Sequence, residues 1–430
     1  MTLTVNSSKG GSSHVSSSVA LYVHFPFCSQ RCTYCDFNTY VGLRELIPAY
    51  TEALCREIGT AGERWNALGV STIYLGGGTP SLIPLDLLDG LFDAVHGAFH
   101  VSSQPEITIE ANPGTVTPAY LRGLRSLGIN RLSLGVQSTH EDDLQTLGRI
   151  HTWRDTVESF ESARKAGFGD ISFDLMFGLP GQTEGRWEKT LRTALDLEPR
   201  HLSLYDLTLE EETLLARQIA SGILPAPEEA RAAAMYEMSE RILAAAGFFH
   251  YEISNWARVE DGGREEDRLP SAWWPVEPDA DRKSSEAISP HVCRHNLTYW
   301  RNQPWLAVGA GAHSWFEERR WVNLHHPRDY AAAWLGDGPS VSGDPFAASQ
   351  SVEEISKLME MGETMMLGLR LTEGVSNERF ETRFGKPLTE VFGCELENLR
   401  DQGLLTWDGS VARLTQRGRL LGNRVFERFI

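Results

Sequence analysis

Short apolar runs, rich in β-branched and aromatic residues, recur along the first 256 positions of the chain. Between them lie segments whose apolar residues repeat at helical spacing, as in "LDLLDGLFDAVHGAF" and "RWEKTLRTALDLE". The six runs are "VALYVHFPF", "STIYLGGGTPS", "EITIEANPG", "RLSLGVQS", "DISFDLMFGLPGQ" and "HLSLYDLTLE". This alternation predicts strand–helix units of a parallel sheet, and six units fit an incomplete α/β barrel better than a flat nucleotide-binding sheet.

Polar residues and glycines follow the apolar part of these runs. Cys28 follows the first run, the glycine stretch 76–81 the second, Glu110 and Asn112 the third, and Gln137 the fourth. In parallel barrels the loops at the carboxyl ends of the strands build the active site. The pattern therefore predicts that the candidate groups converge on one face of a partial, TIM-like (β/α)6 barrel.

The pattern changes beyond the barrel and divides the chain into five predicted parts. These are a flexible Ser-rich tail (1–18), the barrel (19–256), an aperiodic acidic insertion loop (257–290), an extension containing "HNLTYW" (291–345) and a C-terminal helical unit (346–430). In the last part, Asp408-Gly409 stands between two β-prone runs and predicts a hairpin turn. Three helical stretches with that hairpin predict a winged-helix-like α+β domain.

Composition and charge narrow the class of protein. Hydrophobic residues make up 41% of the chain and charged residues 23%, which is globular composition, and no run approaches the ~18 apolar residues of a membrane span. A net charge of −18 without a basic run argues against a nucleic-acid partner, and the acidic helix "LTEVFGCELENLRDQG" argues against DNA binding by the C-terminal domain. The tail lacks the apolar centre of a signal peptide, so we expect a cytoplasmic protein without a transmembrane segment.

Three of the six cysteines, Cys28, Cys32 and Cys35, stand close together in "CSQRCTYC". In a long chain without a secretion signal, such a cluster indicates metal binding or redox chemistry. A structural zinc needs a fourth close ligand, and since no second close pair of Cys or His is present, zinc would require a distant one. Three thiolates around a four-iron cube leave one iron open. The spacing favours an iron–sulfur cluster and leaves zinc as the alternative.

"YVHFPFCSQRCTYCDF" resembles the C-x3-C-x2-C loop of radical S-adenosylmethionine (SAM) enzymes. The resemblance implies a [4Fe-4S] cluster on the three cysteines, with the amino and carboxylate groups of SAM on the open iron. It also implies that an electron from the cluster can split SAM to a 5′-deoxyadenosyl radical. "GGGTPS", "GVQS", "FDLMFGLPGQT", "HNLTYW" and "GAGAHSW" extend the resemblance, from Leu21 to the carboxyl end, to the oxygen-independent coproporphyrinogen III oxidase family.

Two departures from the oxidase pattern make the chain similar to the haem chaperone branch of that family. The oxidase has a fourth cysteine two places after the third, where Phe37 stands here, and a longer folded amino-terminal segment than this tail. The resemblance implies a haem chaperone that passes haem to acceptor haemoproteins and depends on the SAM-bound cluster. The alternative is the oxidase itself, which converts propionates to vinyls, whereas RNA modification would need a basic surface. Enzyme activity and homodimer formation stay open, and oxidase activity is not expected.

The SAM contacts of the family fall on the carboxyl ends of the predicted strands. The glycines of "GGGTPS" offer unobstructed backbone groups, and an ionised glutamate can accept two hydrogen bonds from ribose hydroxyls. The residues that bind SAM by this resemblance are Tyr22, Tyr34, Gly77, Gly78, Thr79, Glu110, Gln137, Arg149 and Asp174.

The "HNLTYW" box supplies the candidate haem contact. Imidazole is a common axial ligand of haem iron, and the association of this box with haem in the family points to His295, with His313 of "GAGAHSW" as second choice. The alternative is that His295 is a packed, hydrogen-bonded core residue. Cys293 either binds metal or haem or is a buried small residue, and we expect Cys55 and Cys394 in the core.

Overall fold

The computed structural model of the protein describes residues 18–65, 68–259, 289–336 and 344–430. The predicted Ser-rich tail, up to residue 17, lies outside the described residues. So do residues 260–288, which make up most of the predicted acidic insertion.

Residues 18–259 form the strand–helix units of the barrel. In chain order these elements are β1 (Ser18–Phe25), β2 (Phe27–Cys28), β3 (Tyr40–Val41), α1 (Ile47–Arg64), β4 (Gly69–Gly77), α2 (Leu85–Ala98), β5 (His100–Ala111), α3 (Pro118–Ser126), β6 (Arg131–Gln137), α4 (Glu141–Thr146), α5 (Trp153–Lys165), β7 (Asp170–Phe177), α6 (Glu184–Leu195), β8 (His201–Asp206), α7 (Leu214–Ala220), α8 (Glu229–Ala245), β9 (Phe248–Glu252) and β10 (Asn255–Arg258). Two short 3-10 turns, Arg44–Leu46 and Pro80–Leu82, precede α1 and α2.

The six predicted strands are confirmed as parallel neighbours in the order β1, β4, β5, β6, β7 and β8. Side chains on both faces of these strands are buried, as in β6, because helices cover the outer face and the barrel closes around the inner one. On the outside, Trp187 of α6 is fully buried, and its indole N–H donates to the Ser239 hydroxyl of α8 at 2.8 Å. This hydrogen bond joins two neighbouring helices of the outer layer.

Residues between 289 and 354 widen the sheet. They form α9 (Arg294–Trp300), β11 (Trp305–Val308), β12 (His313–Phe316), β13 (Arg319–Asn323), α10 (Pro327–Leu335) and β14 (Ser349–Glu354). The described strands give one twelve-stranded sheet in the order β14-β13-β12-β11-β1-β4-β5-β6-β7-β8-β10-β9. β14 and β9 are its two edges, so the barrel is incomplete, as predicted.

The segment around α9 covers the amino-terminal ends of the barrel strands. The Glu106 carboxylate in β5 accepts hydrogen bonds from the backbone N–H groups of Arg294, at 3.0 Å, and His295, at 2.9 Å. Arg131, the first residue of β6, donates from Nη1 to the carbonyl oxygen of His291 at 2.9 Å. These bonds hold the "HNLTYW" helix at the base of the barrel, opposite the loops that carry the predicted cofactor residues.

The C-terminal unit has the predicted winged-helix-like arrangement. Its elements are α11 (Lys357–Gly368), β15 (Val375–Ser376), α12 (Asn377–Phe384), α13 (Leu388–Asp401), β16 (Leu405–Trp407), β17 (Val411–Leu414), α14 (Gln416–Leu420) and α15 (Gly422–Phe426). The hairpin at Asp408-Gly409 is confirmed: β16 and β17 pair antiparallel, and the Asp408 carboxylate accepts the backbone N–H of Val411 at 2.9 Å. The predicted start at 346 is too early, because β14 pairs with β13 in the large sheet.

Among the described residues, the C-terminal unit contacts the barrel at the end of β9 and at α8. The backbone of Thr372 donates to the carbonyl oxygen of Tyr251 at the end of β9, at 3.0 Å. Arg419 of α14 donates from two nitrogens to Oε1 of Glu240 in α8, at 3.1 and 2.7 Å, and both side chains are largely buried. None of the helices in the described part of the chain has the length and apolar content that a bilayer crossing needs.

Candidate functional site

The three clustered cysteines lie in the loop that follows β1. Cys28 ends β2, and Cys32 and Cys35 follow in the same loop; all three are half-buried free thiols. The backbone N–H of Thr33 donates to the carbonyl oxygen of Leu147 at 3.1 Å and so anchors the loop to the end of α4. No three His, Cys, Asp or Glu side chains in the described ranges stand close enough together to hold a single metal ion. A four-iron cluster is wider than one ion, so its ligands stand further apart.

A chain of hydrogen bonds joins Cys28 to Cys32 through three polar side chains. The Thr79 hydroxyl donates to Cys28 Sγ at 3.7 Å and accepts from Asn112 Nδ2 at 3.1 Å. Arg149 donates from Nη2 to Asn112 Oδ1 and from Nη1 to Cys32 Sγ at 3.4 Å. Donors directed at sulfur stabilise thiolates, and burial otherwise raises the pKa of the Cys28 thiol. Asn112 thereby positions the donors to two of the three thiols.

The end of β4 has glycines because side chains there would collide with the cysteine loop. A Cβ atom at Gly78 would lie 2.7 Å from the carbonyl oxygen of Phe27 and 3.0 Å from Cys28 Sγ. At Gly77, where φ is +115°, a Cβ atom would lie 2.7 Å from the His24 ring. The predicted glycine segment therefore lies directly against the first cysteine, with its backbone exposed to the site.

Two half-buried carboxyl groups, Glu110 and Asp174, face the interior of the barrel. Glu110 accepts hydrogen bonds from the Tyr74 hydroxyl at 2.8 Å and the Gly77 backbone N–H at 3.1 Å. Burial, with the nearby charge of Asp174, raises the pKa of Glu110 to about 7. Burial also raises the pKa of Asp174 to about 6, although the Ser133 hydroxyl lies within 3.1 Å of its carboxylate. Both groups can change protonation near neutral pH, so a ligand that donates hydrogen bonds would favour their ionised forms.

The site opens at the carboxyl ends of the barrel strands, next to the cysteine loop. Three further predicted SAM residues belong to this region: Gln137, Tyr22 and Tyr34. Gln137 ends β6 with φ of +66°, and its buried Oε1 has no hydrogen-bond partner among the described residues. A buried unpaired oxygen and a strained backbone are both costly, and both are common at binding sites. The Tyr22 hydroxyl bonds to Nδ1 of His24 at 3.0 Å, and Tyr34 packs against a small apolar cluster that contains Leu147.

A cavity of about 40 Å³ lies beneath these groups, inside the barrel. Its wall runs from Glu110 and Asp174 at the upper end to Cys293 at the base. The hydroxyl of Thr108 and Nη2 of Arg131, both in this wall, have no hydrogen-bond partner in the part of the chain that is described. The volume suits roughly one or two water molecules, which could satisfy these atoms.

His295 lies toward the base of the barrel, where the centre of its ring is 6.4 Å from that of Tyr22, the nearest ring among the predicted SAM residues. Its ring is 1% exposed, with Nδ1 2.8 Å from the Thr72 hydroxyl and Nε2 2.9 Å from the Tyr299 hydroxyl. Burial lowers the pKa of His295 to about 3, so the ring is neutral. This is the packed core histidine of the alternative interpretation. A haem iron could reach it only after one hydrogen bond breaks and the ring becomes exposed.

The structure also locates the second-choice histidine and the three cysteines outside the cluster. His313 is exposed on β12. Cys293 is 3% exposed, its Sγ lies 3.5 Å from Oε1 of Glu106, and burial raises the pKa of its thiol, which fits a buried small residue. Cys55 is half-buried on α1. The expectation for Cys394 is wrong: it is exposed on α13, because the core-facing residues of that helix lie two positions to either side of it.

Glu57 of α1 was not among the predicted site residues, yet its buried carboxylate contacts three residues of the extension. Its carboxylate accepts from the Gly309 backbone N–H at 2.9 Å, from Asn323 Nδ2 at 2.7 Å and from the Tyr330 hydroxyl. Burial raises the pKa of Glu57 to about 7. A glutamate within the apolar stripe of α1 is the signal that could have found it.

Comparison of the sequence with known protein families identifies relatives of both the barrel and the C-terminal unit. The family profile of the radical SAM superfamily matches residues 22–194, and that of the HemN C-terminal domain matches residues 355–421. The haem chaperone HemW of Bacillus subtilis (strain 168) is 36% identical over 410 residues, which cover 95% of this chain and 98% of HemW. HemW of Synechocystis is 37% identical over 366 residues, covering 83% of this chain and 79% of that protein.

A solved structure shows the same fold. Coproporphyrinogen III oxidase (HemN) from Escherichia coli superposes with a TM-score of 0.76 at 22% identity, over 96% of this chain and 90% of the oxidase chain. The likeness extends through the partial barrel and the C-terminal unit.

Proposed function

We propose, from the premise that this chain belongs to the HemW family of radical SAM proteins, that it is a haem chaperone. It binds haem and transfers it to acceptor haemoproteins, and it depends on a [4Fe-4S] cluster that carries SAM. The observation that carries the proposal is the 36% identity to HemW over nearly the whole length of both chains. A cytoplasmic location and the absence of a nucleic-acid partner are part of the same proposal, and the net charge of −18 supports the second of these.

The residues present fit the cofactors of the family. The thiols of Cys28, Cys32 and Cys35 would hold the cluster. The residues that would hold SAM surround the same opening: Tyr22, Tyr34, Gly77, Gly78, Thr79, Glu110, Gln137, Arg149 and Asp174. Two observations support this fit: Gln137 Oε1 is buried without a partner in the described ranges, and Gly78 leaves free the space beside Cys28 that a side chain would fill. When bound, the cluster supplies an electron of low potential to SAM.

The side chains of the site bind and orient these groups. Thr79 and Arg149 donate hydrogen bonds to Cys28 Sγ and Cys32 Sγ and so favour the thiolate forms. Glu110, once it loses its proton, can accept hydrogen bonds from hydroxyl groups. The barrel interior beneath the site is lined mainly by polar side chains, among them Ser133, Ser172 and Ser203, which can orient a polar ligand by hydrogen bonds.

Phe37 separates the chaperone proposal from the oxidase alternative. It occupies the position of the extra oxidase cysteine, and its side chain is 64% exposed on the cysteine loop. The chain therefore offers no fourth thiol at this place. The haem contact predicted at His295 is not part of the proposal, because both ring nitrogens already have hydrogen-bond partners inside the core.

The proposal is tested with anaerobically reconstituted protein, to which haem and coproporphyrinogen are offered in parallel with SAM and a reductant. We expect a stoichiometric Soret band, transfer of haem to an apo-haemoprotein such as apomyoglobin, and no vinyl product. Anaerobic conversion of coproporphyrinogen would instead establish the oxidase.

The contribution of the cluster is tested with Cys32→Ala, which removes one thiol. We expect it to lose the broad iron–sulfur absorption and the haem transfer, since the cluster then lacks one of its three protein ligands. Cys55→Ala is the matched control, because Cys55 lies on α1 outside the cysteine loop. Four retained irons in Cys32→Ala would contradict the cluster assignment.

A further inference from the structure

We propose that the haem cargo lies in a groove between the end of α9 and the C-terminal unit. This inference rests on the proposed chaperone function and adds the site of the cargo. The groove is a cavity of about 430 Å³ whose wall includes Trp300, Arg301, Val375, Arg379 and Phe380. Its volume lies within the range of sites that enclose small molecules, about 300–1,000 Å³.

The apolar part of the lining comes from elements that are packed in place. Trp300 ends α9, Leu371 follows α11, Val375 starts β15 and Phe380 lies on α12. Leu371, Val375 and Phe380 belong to the buried cores of this region, so the wall is preformed. A flat apolar ring inserted here would contact aromatic and branched side chains without a change in the fold.

The lining of the groove also carries three arginines. Arg301 makes a two-pronged ion pair with Glu373, at 2.9 and 3.2 Å, and Arg383 pairs with the buried Glu360 at 2.8 Å. Arg379 lies 3.9 Å from Glu373, and its side chain is 70% exposed at the rim. The three arginines bring cationic side chains to this wall in a chain whose net charge is −18, and Arg379 is the most exposed of them. Their positive charge, and the planar donor fork of arginine, suit a carboxylate ligand.

Trp300 adds an unsatisfied donor to the same wall. Its indole Nε1 is buried and has no hydrogen-bond acceptor among the described residues. The guanidinium of Arg370 lies 4.3 Å from the centre of its ring, which holds the indole in place. A buried N–H without an acceptor costs free energy, so a small turn of the indole that brings this covered N–H to a ligand carboxylate would be favourable.

The groove thus suits a planar apolar molecule with carboxylates on one edge. Haem has this chemistry, with an apolar macrocycle and two propionates. No histidine, cysteine or methionine lines the described wall of the groove, so binding here uses the ring and the carboxylates, and the iron contributes little. In this arrangement the "HNLTYW" box contacts haem through Trp300. Its His295 instead makes hydrogen bonds inside the core, at the base of the barrel.

Because the iron is not the anchor, iron-free protoporphyrin IX is the probe that distinguishes this site. The full-length protein and its Arg379→Glu variant are titrated with haem and with protoporphyrin IX, followed by absorption and by quenching of tryptophan fluorescence. We expect both ligands to bind the unmodified protein with affinities within a few-fold of each other. Arg379→Glu should weaken both at least about tenfold, because it replaces a favourable charge by a repulsive one.

Two further variants complete the test. Arg424→Glu makes the same charge change at an exposed position of the C-terminal unit outside the groove, and its affinities should stay unchanged. Arg379→Lys keeps the charge without the planar fork and should fall between the unmodified protein and Arg379→Glu.

The possible results separate this inference from the proposed function. Haem binding that is insensitive to Arg379→Glu, or that His295→Ala abolishes while protoporphyrin IX never binds, overturns the groove and leaves the chaperone proposal standing. Absence of haem binding by the unmodified, cluster-loaded protein overturns the chaperone proposal itself.

Discussion

Asn112 controls the position of the hydrogen-bond donors to two cluster thiols, although it touches neither sulfur. Its amide accepts from Arg149 and donates to Thr79, and these two residues donate to Cys32 and Cys28. Hydrogen bonds to thiolate sulfur raise the reduction potential of an iron–sulfur cluster. A single amide therefore adjusts two of the three ligands together.

Asn112→Leu keeps the size of this side chain and removes its hydrogen bonds. We expect the cluster potential to fall by something on the order of 50 mV, the one-electron equivalent of about 1 kcal/mol, measured by an EPR-monitored redox titration. Thr115→Val is the control, because Thr115 bonds to the backbone oxygen of residue 112 and not to the thiol chain. An unchanged potential in Asn112→Leu would show that Arg149 and Thr79 hold their places without it.

Glu110 makes stability depend on pH. Burial raises its pKa from 4.5 to about 7, so between about pH 4 and 7 the folded protein binds more protons than the unfolded chain. The free energy of unfolding should therefore fall as pH rises through this interval. Glu110→Gln should remove part of this slope and add about 2 kcal/mol at pH 8, measured by urea denaturation of the cluster-free protein.

Glu397→Gln is the matched control for this measurement, since Glu397 is exposed on α13. Its pH profile should match that of the unmodified protein. A Glu110→Gln profile with the same slope would mean that Glu110 is not the group that takes up the proton.

At the residue scale, the sequence predicts those groups whose chemistry is visible in a local motif. The spacing of Cys28, Cys32 and Cys35 and the glycines after β4 are such motifs, and the structure brings them together. The role of Asn112 depends on Arg149, which comes 37 positions later in the chain, so no local pattern shows it. His295 lies in a recognisable motif, but whether its ring can bind iron depends on its burial. Burial is set by the tertiary fold, which no local motif shows.

At the scale of elements, the end of β4 is the most constrained segment of the site. Gly78→Ala would place a methyl group 2.7 Å from the carbonyl oxygen of Phe27, which cannot move without displacing Cys28. We expect a loss of about 1–3 kcal/mol in stability and substoichiometric iron after reconstitution, measured by urea denaturation and iron analysis.

Gly90→Ala is the control for this substitution. Gly90 lies within α2, where a Cβ atom meets nothing within 4 Å, so alanine should stabilise the helix by up to about 1 kcal/mol and leave the iron content unchanged. Full iron loading of Gly78→Ala would show that the loop can shift without losing the cluster.

The six barrel strands were predictable because parallel strands buried on both faces form continuous apolar runs. The short strands that extend the sheet, β9 to β14, were not. They have four to six residues each. Several pair with strands close to them in the chain, but the pairings that attach them to the barrel join distant parts of the chain, as for β11 with β1 and β10 with β8. Their place in the sheet comes from tertiary contacts such as those of Glu57 with Gly309 and Asn323.

At the scale of the whole molecule, the barrel and the C-terminal unit are joined through a largely buried ion pair. Arg419→Ala leaves Glu240 buried without this partner, which costs about 3 kcal/mol. We expect the C-terminal unit to unfold in a separate, earlier transition in scanning calorimetry, whereas the unmodified protein unfolds in one transition. Arg424→Ala, an exposed change in the same unit, should leave the trace unchanged; a single unshifted transition in Arg419→Ala would contradict the coupling.

The incomplete barrel leaves β14 as an open edge of the sheet. An open edge is a template on which a second chain can add a strand and begin aggregation. β14 ends in Glu353 and Glu354, which face Arg320 and Arg319 of β13 in the register and are exposed on the free side. An added strand would have to pair beside these charged side chains, a feature with which edge strands disfavour aggregation. The acidic end of β14 thus lowers the tendency of this edge to recruit a further strand.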